Sequence, residues 1–156
     1  MTETKALTPV VKTVLVAASP DYAFEVFTTR LGDWWPLARY SVDGPKAKGV
    51  VLDCRHGGEV VETTGDGSRE VWGTVLEWAP PDRLVLTWHP GRPADEATRV
   101  EVAFVAEGTS TRVTLTHTGW EGRGAGAAAR ASYDSGWVAV LERFVALAAG
   151  GSESGT

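Results

Sequence analysis

The sequence predicts an α+β domain in which a curved, seven-stranded antiparallel sheet wraps around one long C-terminal helix. Short apolar runs recur between turn signals from 48 to 117, a β-branched run precedes them at 10–19, and a long amphipathic stretch follows at 127–149. Strands that succeed one another through tight turns pair antiparallel. A chain of 156 residues is long enough for one domain with its own core.

The first strand and the helices after it are defined by their boundary residues. The run VVKTVLVAAS at 10–19 is rich in the β-branched residues typical of strands. Ser19 is a favourable N-cap and Pro20 a favourable first helical residue, so we expect a helix that begins at Pro20 and ends before Gly32. The sequence DWWP at 33–36 predicts a second, short helical turn.

Six further strands are separated by turn sequences, of which GDGS at 65–68 is the strongest hairpin signal. The predicted strands span 48–54, 59–64, 69–78, 83–89, 98–107 and 111–117. Alternation in the last three predicts one shared inward face. Its members are Leu84, Leu86, Trp88, Val100, Val102, Phe104, Val113, Leu115 and His117.

The strand at 69–78 leaves its inward face open. One alternating set contains Val71, Gly73 and Val75, and the other contains Trp72, Thr74, Leu76 and Trp78. A glycine in the middle of a strand indicates a bulge or a close approach of another backbone segment.

The last element is predicted to be one amphipathic helix of about six turns. Its apolar residues recur at steps of three and four: Tyr133, Trp137, Val140, Leu141, Phe144, Val145 and Ala148. Gly136 is costly inside a helix, so we expect close packing by Trp34 or Trp35 there, or space for a ligand. A single domain over 9–149 follows, with a flexible segment at 1–8 and a disordered tail at 150–156.

Composition excludes several classes of partner. The net charge is −5, and no run of Lys or Arg occurs, which argues against binding to nucleic acid or an anionic membrane. No apolar run has the length of a membrane span or the pattern of a signal peptide. The single cysteine, Cys54, excludes an internal disulfide. We therefore expect a cytoplasmic protein.

The chain resembles a known family through several motifs. They are Gly57-Gly58, the run GTVLEWAPPDRL at 73–84, the strand end LTHTGW at 115–120, and SGWVAVLERF at 135–144. Together they resemble the AHSA-like branch of the START/SRPBCC superfamily, named for a domain of the activator of the ninety-kilodalton heat-shock-protein ATPase. The resemblance covers about 9–149 and implies the helix-grip fold, often with a deep pocket between sheet and helix. Such a fold alone does not fix the function.

Catalytic and metal motifs are weak in this sequence. Cys54 and His56 are two residues apart, but no second pair at ligand spacing follows, and His89 lies in a distant turn. No nucleophile elbow, phosphate-binding loop or dinucleotide fingerprint is present. We therefore expect neither a metal nor a cofactor.

His117 has two interpretations. Its place on the inward face, beside Trp120, could let it contact a ligand or act as an acid–base group. Alternatively, a neutral imidazole could be anchored by hydrogen bonds and orient the loop that carries Trp120. The first interpretation predicts that His117→Ala impairs ligand binding more than folding.

Seven tryptophans are many for a domain of this size, and such rings often line binding sites. The sequence therefore predicts a domain that binds an apolar, aromatic or lipid-like small molecule. The predicted ligand contacts are Trp34, Trp35, Trp72, Trp88, Phe104, His117, Trp120, Tyr133 and Trp137. The alternatives are an enzyme of the polyketide cyclase, dehydratase or hydrolase kind that uses His117, and an interaction domain like a chaperone cofactor. Only the family resemblance points to a protein partner.

Overall fold

The computed structural model of the chain describes residues 8–120 and 126–154, with side chains as far as 149. The strands are β1 (Val10–Val16), β2 (Gly49–Leu52), β3 (Glu59–Thr63), β4 (Arg69–Ala79), β5 (Arg83–Trp88), β6 (Thr98–Glu107) and β7 (Ser110–Thr118). The α-helices are α1 (Pro20–Thr28), α2 (Leu31–Trp34) and α3 (Gly126–Ser154), and Gly44–Lys46 and Ala94–Glu96 form short 3₁₀ turns.

The seven strands form one curled antiparallel sheet in the order β1-β7-β6-β5-β4-β3-β2. From β2 to β7 each strand pairs with the next along the chain, and β1 pairs with β7 so that Val10 lies opposite His117. The predicted fold class, with the first strand as the seventh member of the sheet, is confirmed.

Local sequence explains how the first helices form. Ser19 accepts a hydrogen bond from the backbone N–H of Tyr22 at 3.3 Å, and Pro20 occupies the first turn of α1. The helix buries Phe24 and Phe27 against Phe104 of the sheet. The helix boundaries differ from the prediction: α1 already ends at Thr28, and α2 begins at Leu31, so it includes Gly32, and ends at Trp34.

The nine inward-facing residues predicted for β5, β6 and β7 are all buried, which confirms the strand register. On the opposite side of the core, α3 buries Trp137, Val140, Leu141, Phe144 and Ala148. The helix contacts β1, α1 and α2, so the core fills the space between α3 and the sheet.

Both candidate faces of β4 contribute to the core, because the strand is irregular. Trp72 and Val75 are both buried, although they belong to different alternating sets. A register shift leaves Trp72 without a paired residue in β3, and a second shift leaves Leu76 without a paired residue in β5. A Cβ atom on Gly73 would lie 1.8 Å from the carbonyl oxygen of Thr87, so glycine is required by the close backbone approach that its position indicated.

The last helix is longer than the sequence predicted. Its amphipathic pattern ended at 149, whereas α3 ends at Ser154, and the bounds of the predicted tail stay a prediction. The predicted flexible segment at 1–8 falls almost wholly outside the described residues, as do residues 121–125 before α3.

Candidate functional site

An open cleft of about 420 Å³ lies between the first half of α3, the adjoining ends of β4 and β5, and the loop that follows α2. We call it the aromatic cleft. Its lining residues are Trp35, Tyr40, Ser41, Val42, Trp72, Trp88, Pro90, Gly91, Ala129, Ser132, Tyr133, Gly136, Trp137 and Val140. Most of its wall is apolar, and two tyrosines and two serines are among its lining residues.

Four tryptophans form a continuous wall of this cleft. The ring centroid of Trp35 lies 5.2 Å from that of Trp72, 5.9 Å from Trp88 and 5.8 Å from Trp137. The Trp88 ring lies 5.7 Å from both Trp72 and Trp137. All four side chains are at least nine-tenths buried. The wall is therefore rigid, since each ring is held by its neighbours.

Hydrogen bonds fix three of these four indoles. Trp35 Nε1 donates to the Tyr40 carbonyl at 2.6 Å, Trp72 Nε1 to Glu62 at 3.0 Å, and Trp137 Nε1 to His117 Nδ1 at 3.0 Å. The fourth differs: Trp88 Nε1 is buried and has no hydrogen-bond partner among the described residues.

Glu62 anchors one rim of the cleft, and sequence reasoning missed it. Its fully buried carboxylate accepts hydrogen bonds from the backbone N–H groups of Val42 and Asp43 at 2.8 and 2.9 Å, besides the Trp72 indole. Several N–H donors compensate for burying the charge. The alternation of β3 could have revealed this residue, because Glu62 shares a face with the buried Val60.

His117 is fully buried and points to the same side of β7 as Val113 and Leu115, as predicted. Because indole N–H can only donate, Nδ1 of His117 accepts from Trp137 and must be unprotonated. The proton is then on Nε2, which lies 2.6 Å from Thr98 Oγ1 and donates to it. Thr98 in turn donates to the Trp88 carbonyl at 2.9 Å.

This chain of hydrogen bonds explains the role of His117. The imidazole is neutral, with its tautomer fixed, and links α3 to β5 and β6 through two side chains. Trp120 donates its indole N–H to the His117 carbonyl and packs on the ring at a centroid distance of 4.1 Å. The geometry favours the anchored interpretation, in which His117 orients the residues around it.

The structure places five of the nine predicted contact residues in the cleft lining, and the other four outside it. Trp35, Trp72, Trp88, Tyr133 and Trp137 line the aromatic cleft. The cleft lining does not include His117, Trp120, Trp34 or Phe104. The last two lie deeper: Trp34 packs on Phe144, and Phe104 packs on Phe27. Whether any of these residues contacts a ligand stays a prediction.

Gly136 packs against Tyr40 and not against Trp34 or Trp35, and it lines the cleft; the alternative expectation, space for a ligand, stays a prediction. A Cβ atom at Gly136 would lie 3.3 Å from Cε1 of the Tyr40 ring. The loop from Tyr40 to Val42 was missed as part of the site, because its residues show no periodicity. Two buried side chains hold the loop in place. The Trp35 indole donates to the Tyr40 carbonyl, and Glu62 accepts from the backbone N–H of Val42.

The described residues contain neither a cluster of metal ligands nor a membrane-spanning helix. Across 8–120 and 126–149, no three His, Cys, Asp or Glu side chains group closely enough to hold a metal ion. Cys54 lies near Thr29 Oγ1, at 3.7 Å, and the Leu52 carbonyl, at 3.5 Å. None of the described helices is both long and apolar enough to span a bilayer.

Several solved structures are similar to this chain. An anthrahydroquino-gamma-pyrone synthase, Txn09, solved as a complex, is 39% identical over 72% of this chain and 77% of its own, with a TM-score of 0.54. MLL2253 of Mesorhizobium loti is 18% identical, covering 89% and 95% of the two chains, with a TM-score of 0.66. DynU16, from the dynemicin biosynthetic locus, is 20% identical over 88% of this chain and 45% of its own, with a TM-score of 0.62.

The last two likenesses establish the fold alone. A search of curated proteins finds no match to the chain. A family model described as "Activator of Hsp90 ATPase homolog 1-like protein" matches residues 17–149. Because this match spans most of the domain, and the motifs at 57–58, 73–84 and 115–120 fall inside it, the chain belongs to the Activator of Hsp90 ATPase homolog 1-like family.

Proposed function

We propose that this protein binds a flat, largely apolar small molecule in the aromatic cleft. The observation that carries the proposal is the wall of four packed tryptophans facing an open space of about 420 Å³. Clefts that hold small ligands usually enclose roughly 300–1,000 Å³ and combine apolar walls with a few polar groups. A rigid wall of this kind can bind a flat ring system with little loss of side-chain entropy.

The 39% identity to an anthrahydroquino-gamma-pyrone synthase supports a polycyclic aromatic ligand. Fused aromatic rings can pack on the aromatic part of the lining, which includes Trp35, Trp88 and Trp137. The hydroxyl groups of Tyr40, Ser132 and Tyr133 at the cleft could bond to oxygen substituents on such rings.

A direct binding measurement tests the proposal. Anthraquinone-2-sulfonate is a soluble, flat probe whose sulfonate can remain in water at the open side of the cleft. Isothermal titration calorimetry should show saturable binding with one site per chain. Absence of saturable binding would overturn the proposal.

A matched pair of variants tests the location. Ser132 lines the cleft and is exposed, whereas Ser135 is exposed on the same helix but outside the lining. Ser132→Phe should fill part of the cleft and weaken binding at least about tenfold, which corresponds to about 1.4 kcal/mol. Ser135→Phe should leave the affinity within about twofold. Equal effects of both variants would place the ligand elsewhere.

The same identity favours a second candidate function, catalysis of ring closure in a bound polyketide. A cleft that holds a substrate in one folded conformation accelerates cyclisation by positioning the reacting groups. The hydroxyl groups of Tyr40 and Tyr133 are candidates for proton transfer there. His117 is less well placed, since it lies outside the lining and its two ring nitrogens bond to Trp137 and Thr98.

Mass spectrometry distinguishes the two functions. A suitable substrate is an anthraquinone with a phenol beside a 1,3-diketone side chain, which closes to a pyrone with loss of one water. A faster loss of water with protein than without, abolished by Ser132→Phe, would support catalysis. Unchanged substrate despite saturable binding would leave binding alone.

A further inference from the structure

A small inner cavity of about 10 Å³ lies in the core between α3 and the sheet. It shares three lining residues with the aromatic cleft: Trp35, Trp88 and Trp137. Its other lining side chains are phenylalanine, leucine and valine from α1, α2 and four strands of the sheet, and all of them are buried. The cavity is therefore apolar and dry, since a water molecule there would need two to four polar partners.

The three shared tryptophans form a closed triangle of rings. The ring centroids are 5.9 Å apart for Trp35 and Trp88, 5.8 Å for Trp35 and Trp137, and 5.7 Å for Trp88 and Trp137. Each ring comes from a different part of the fold, namely the residue after α2, strand β5 and helix α3. Because every ring packs on the other two and borders both spaces, the triangle is the wall that separates the cleft from the inner cavity.

Trp88 differs from the other two members of the triangle in its hydrogen bonding. Trp35 donates its N–H to the Tyr40 carbonyl, and Trp137 donates to His117. Trp88 Nε1 is buried and has no partner among the described residues, a cost in free energy that phenylalanine or valine at this position would avoid. Such groups are rare in folded proteins, and each needs an explanation. The bulk of the indole, placed where it closes the wall, supplies one.

We propose that the triangle sets the depth of the aromatic cleft, and that Trp88 is its specificity-determining residue. The inference rests on the proposed function and narrows its ligand to short flat ring systems, which end at the triangle. A longer ring system must leave its last ring in water, where the ring adds little affinity, because apolar contact stabilises in proportion to the area removed from water. A smaller side chain at position 88 would join the inner cavity to the cleft and admit a longer ring system.

A series of linear ring systems measures this depth. Naphthalene-2-sulfonate, anthracene-2-sulfonate and tetracene-2-sulfonate each differ from the next by one fused ring, and the sulfonate of each can remain in water at the open side of the cleft. Isothermal titration calorimetry with the wild-type protein should show an affinity that rises along the series and then levels off, with a change of less than about twofold at the step to tetracene-2-sulfonate. A larger rise at that last step would overturn the inference.

Trp88→Val should move this limit by one ring. Valine opens the triangle and suits a strand. The step at which the wild-type affinity levels off should then gain about tenfold, the change expected when about 60 Å² of further apolar surface leaves water. Trp88→Phe is a milder replacement and should give a smaller gain at the same step, so the test does not depend on the fold tolerating valine. No gain in either variant would overturn the role assigned to Trp88.

Trp72→Val is the control variant. Trp72 lines the cleft but not the inner cavity. Loss of its indole should weaken the binding of all three probes by similar factors, with no gain at the step where the wild-type affinity levels off. An equal gain in Trp72→Val and Trp88→Val would overturn the inference while the proposed function stands. Binding of none of the probes to the wild-type protein would overturn the proposed function and the inference with it.

Discussion

At the scale of single residues, the hydrogen bonds around His117 connect the elements that build the cleft. Trp137 on α3 donates to His117 on β7, which donates to Thr98 on β6, which donates to the carbonyl of Trp88 on β5. The indole N–H of Trp137 can only donate, so the direction of the chain is determined. Two of the four residues, Trp88 and Trp137, are walls of the cleft.

His117→Ala should therefore destabilise the fold more than it weakens ligand binding, the reverse of what the sequence alone predicted. The variant leaves Trp137 Nε1 without its acceptor and opens a cavity, at a cost of roughly 2–4 kcal/mol. At about 2–4 °C per kcal/mol, the melting temperature should fall by roughly 4–16 °C. His117→Gln, which can both accept and donate, should lose less. An unchanged melting temperature with lost ligand affinity would instead support direct ligand contact.

Glu62→Gln should destabilise the protein and loosen the rim of the cleft. The amide loses the charge. If its oxygen keeps the hydrogen bonds from Val42 and Trp72, its NH₂ group faces the backbone N–H of Asp43, which then has no acceptor. A cost of roughly 2–4 kcal/mol follows for a buried, charge-assisted network. Glu59 is the control, because it is about half exposed on the same strand. Glu59→Gln should change the free energy of unfolding by less than about 0.5 kcal/mol in urea unfolding.

Residue patterns predicted the aromatic walls better than the rest of the site. Trp88 follows from alternation in β5, and Trp137 and Tyr133 follow from helical spacing in α3. Alternation also placed Phe104 and His117 inward correctly, but it cannot distinguish a residue that lines a cleft from one that fills the core. That distinction depends on which elements pack over each side chain.

At the scale of secondary-structure elements, the turn between β3 and β4 has its own carboxylate. Asp66 accepts from the Thr64 hydroxyl at 2.6 Å and from the Ser68 backbone N–H at 3.0 Å. These bonds, above all the one from Thr64, lower the pKa of Asp66 from 3.8 to about 2. The hairpin signal in the sequence is thus explained by an acidic side chain that closes the turn.

Asp66 therefore predicts a pH dependence of the hairpin. Because the pKa is lower in the folded state, the carboxylate's contribution is complete above the ordinary value of 3.8 and is lost as the pH falls toward about 2. The stability difference between wild type and Asp66→Asn should shrink over that interval. NMR titration of the Asp66 carboxyl carbon gives the pKa directly, and a midpoint at its ordinary value would contradict this account.

The close approach of the β4 and β5 backbones should tolerate no side chain at Gly73. A Cβ atom 1.8 Å from the Thr87 carbonyl oxygen must push the strands apart beside Trp72 and Trp88. Gly73→Ala should cost about 3 kcal/mol or more. Gly49 is the control in β2, since a Cβ atom there meets nothing within 4 Å. Thermal unfolding should show little change for Gly49→Ala, and equal losses for both variants would refute the steric explanation.

Most elements could be predicted from the sequence, because alternation and turn signals act locally. The inward face of β4 could not be predicted, because register shifts at Trp72 and Leu76 break the alternation on either side of Gly73. The extension of α3 to Ser154 was also missed, because the sequence GGSES favours an end to the helix.

At the scale of the whole molecule, the cleft exists because α3 covers the sheet incompletely. The second half of α3 packs Phe144 onto Phe27 and Trp34 and closes the core there. The first half has Ser132 and Gly136 at the cleft, and they leave space that the loop after α2 borders with Tyr40. One end of the domain is thus solid core and the other is open. Sequence periodicity predicts the helix, but it does not predict how much of the sheet the helix covers.

The seven indole N–H resonances of ¹⁵N-labelled protein provide the most direct test of ligand binding in the aromatic cleft. Titration with anthraquinone-2-sulfonate should shift the resonances of Trp35, Trp72, Trp88 and Trp137, which line the cleft. The remaining three tryptophans lie outside its lining and serve as internal controls: Trp34, Trp78 and Trp120. Saturable shifts confined mainly to the first group are the predicted result. No shifts, or shifts confined to the second group, would contradict the proposed function.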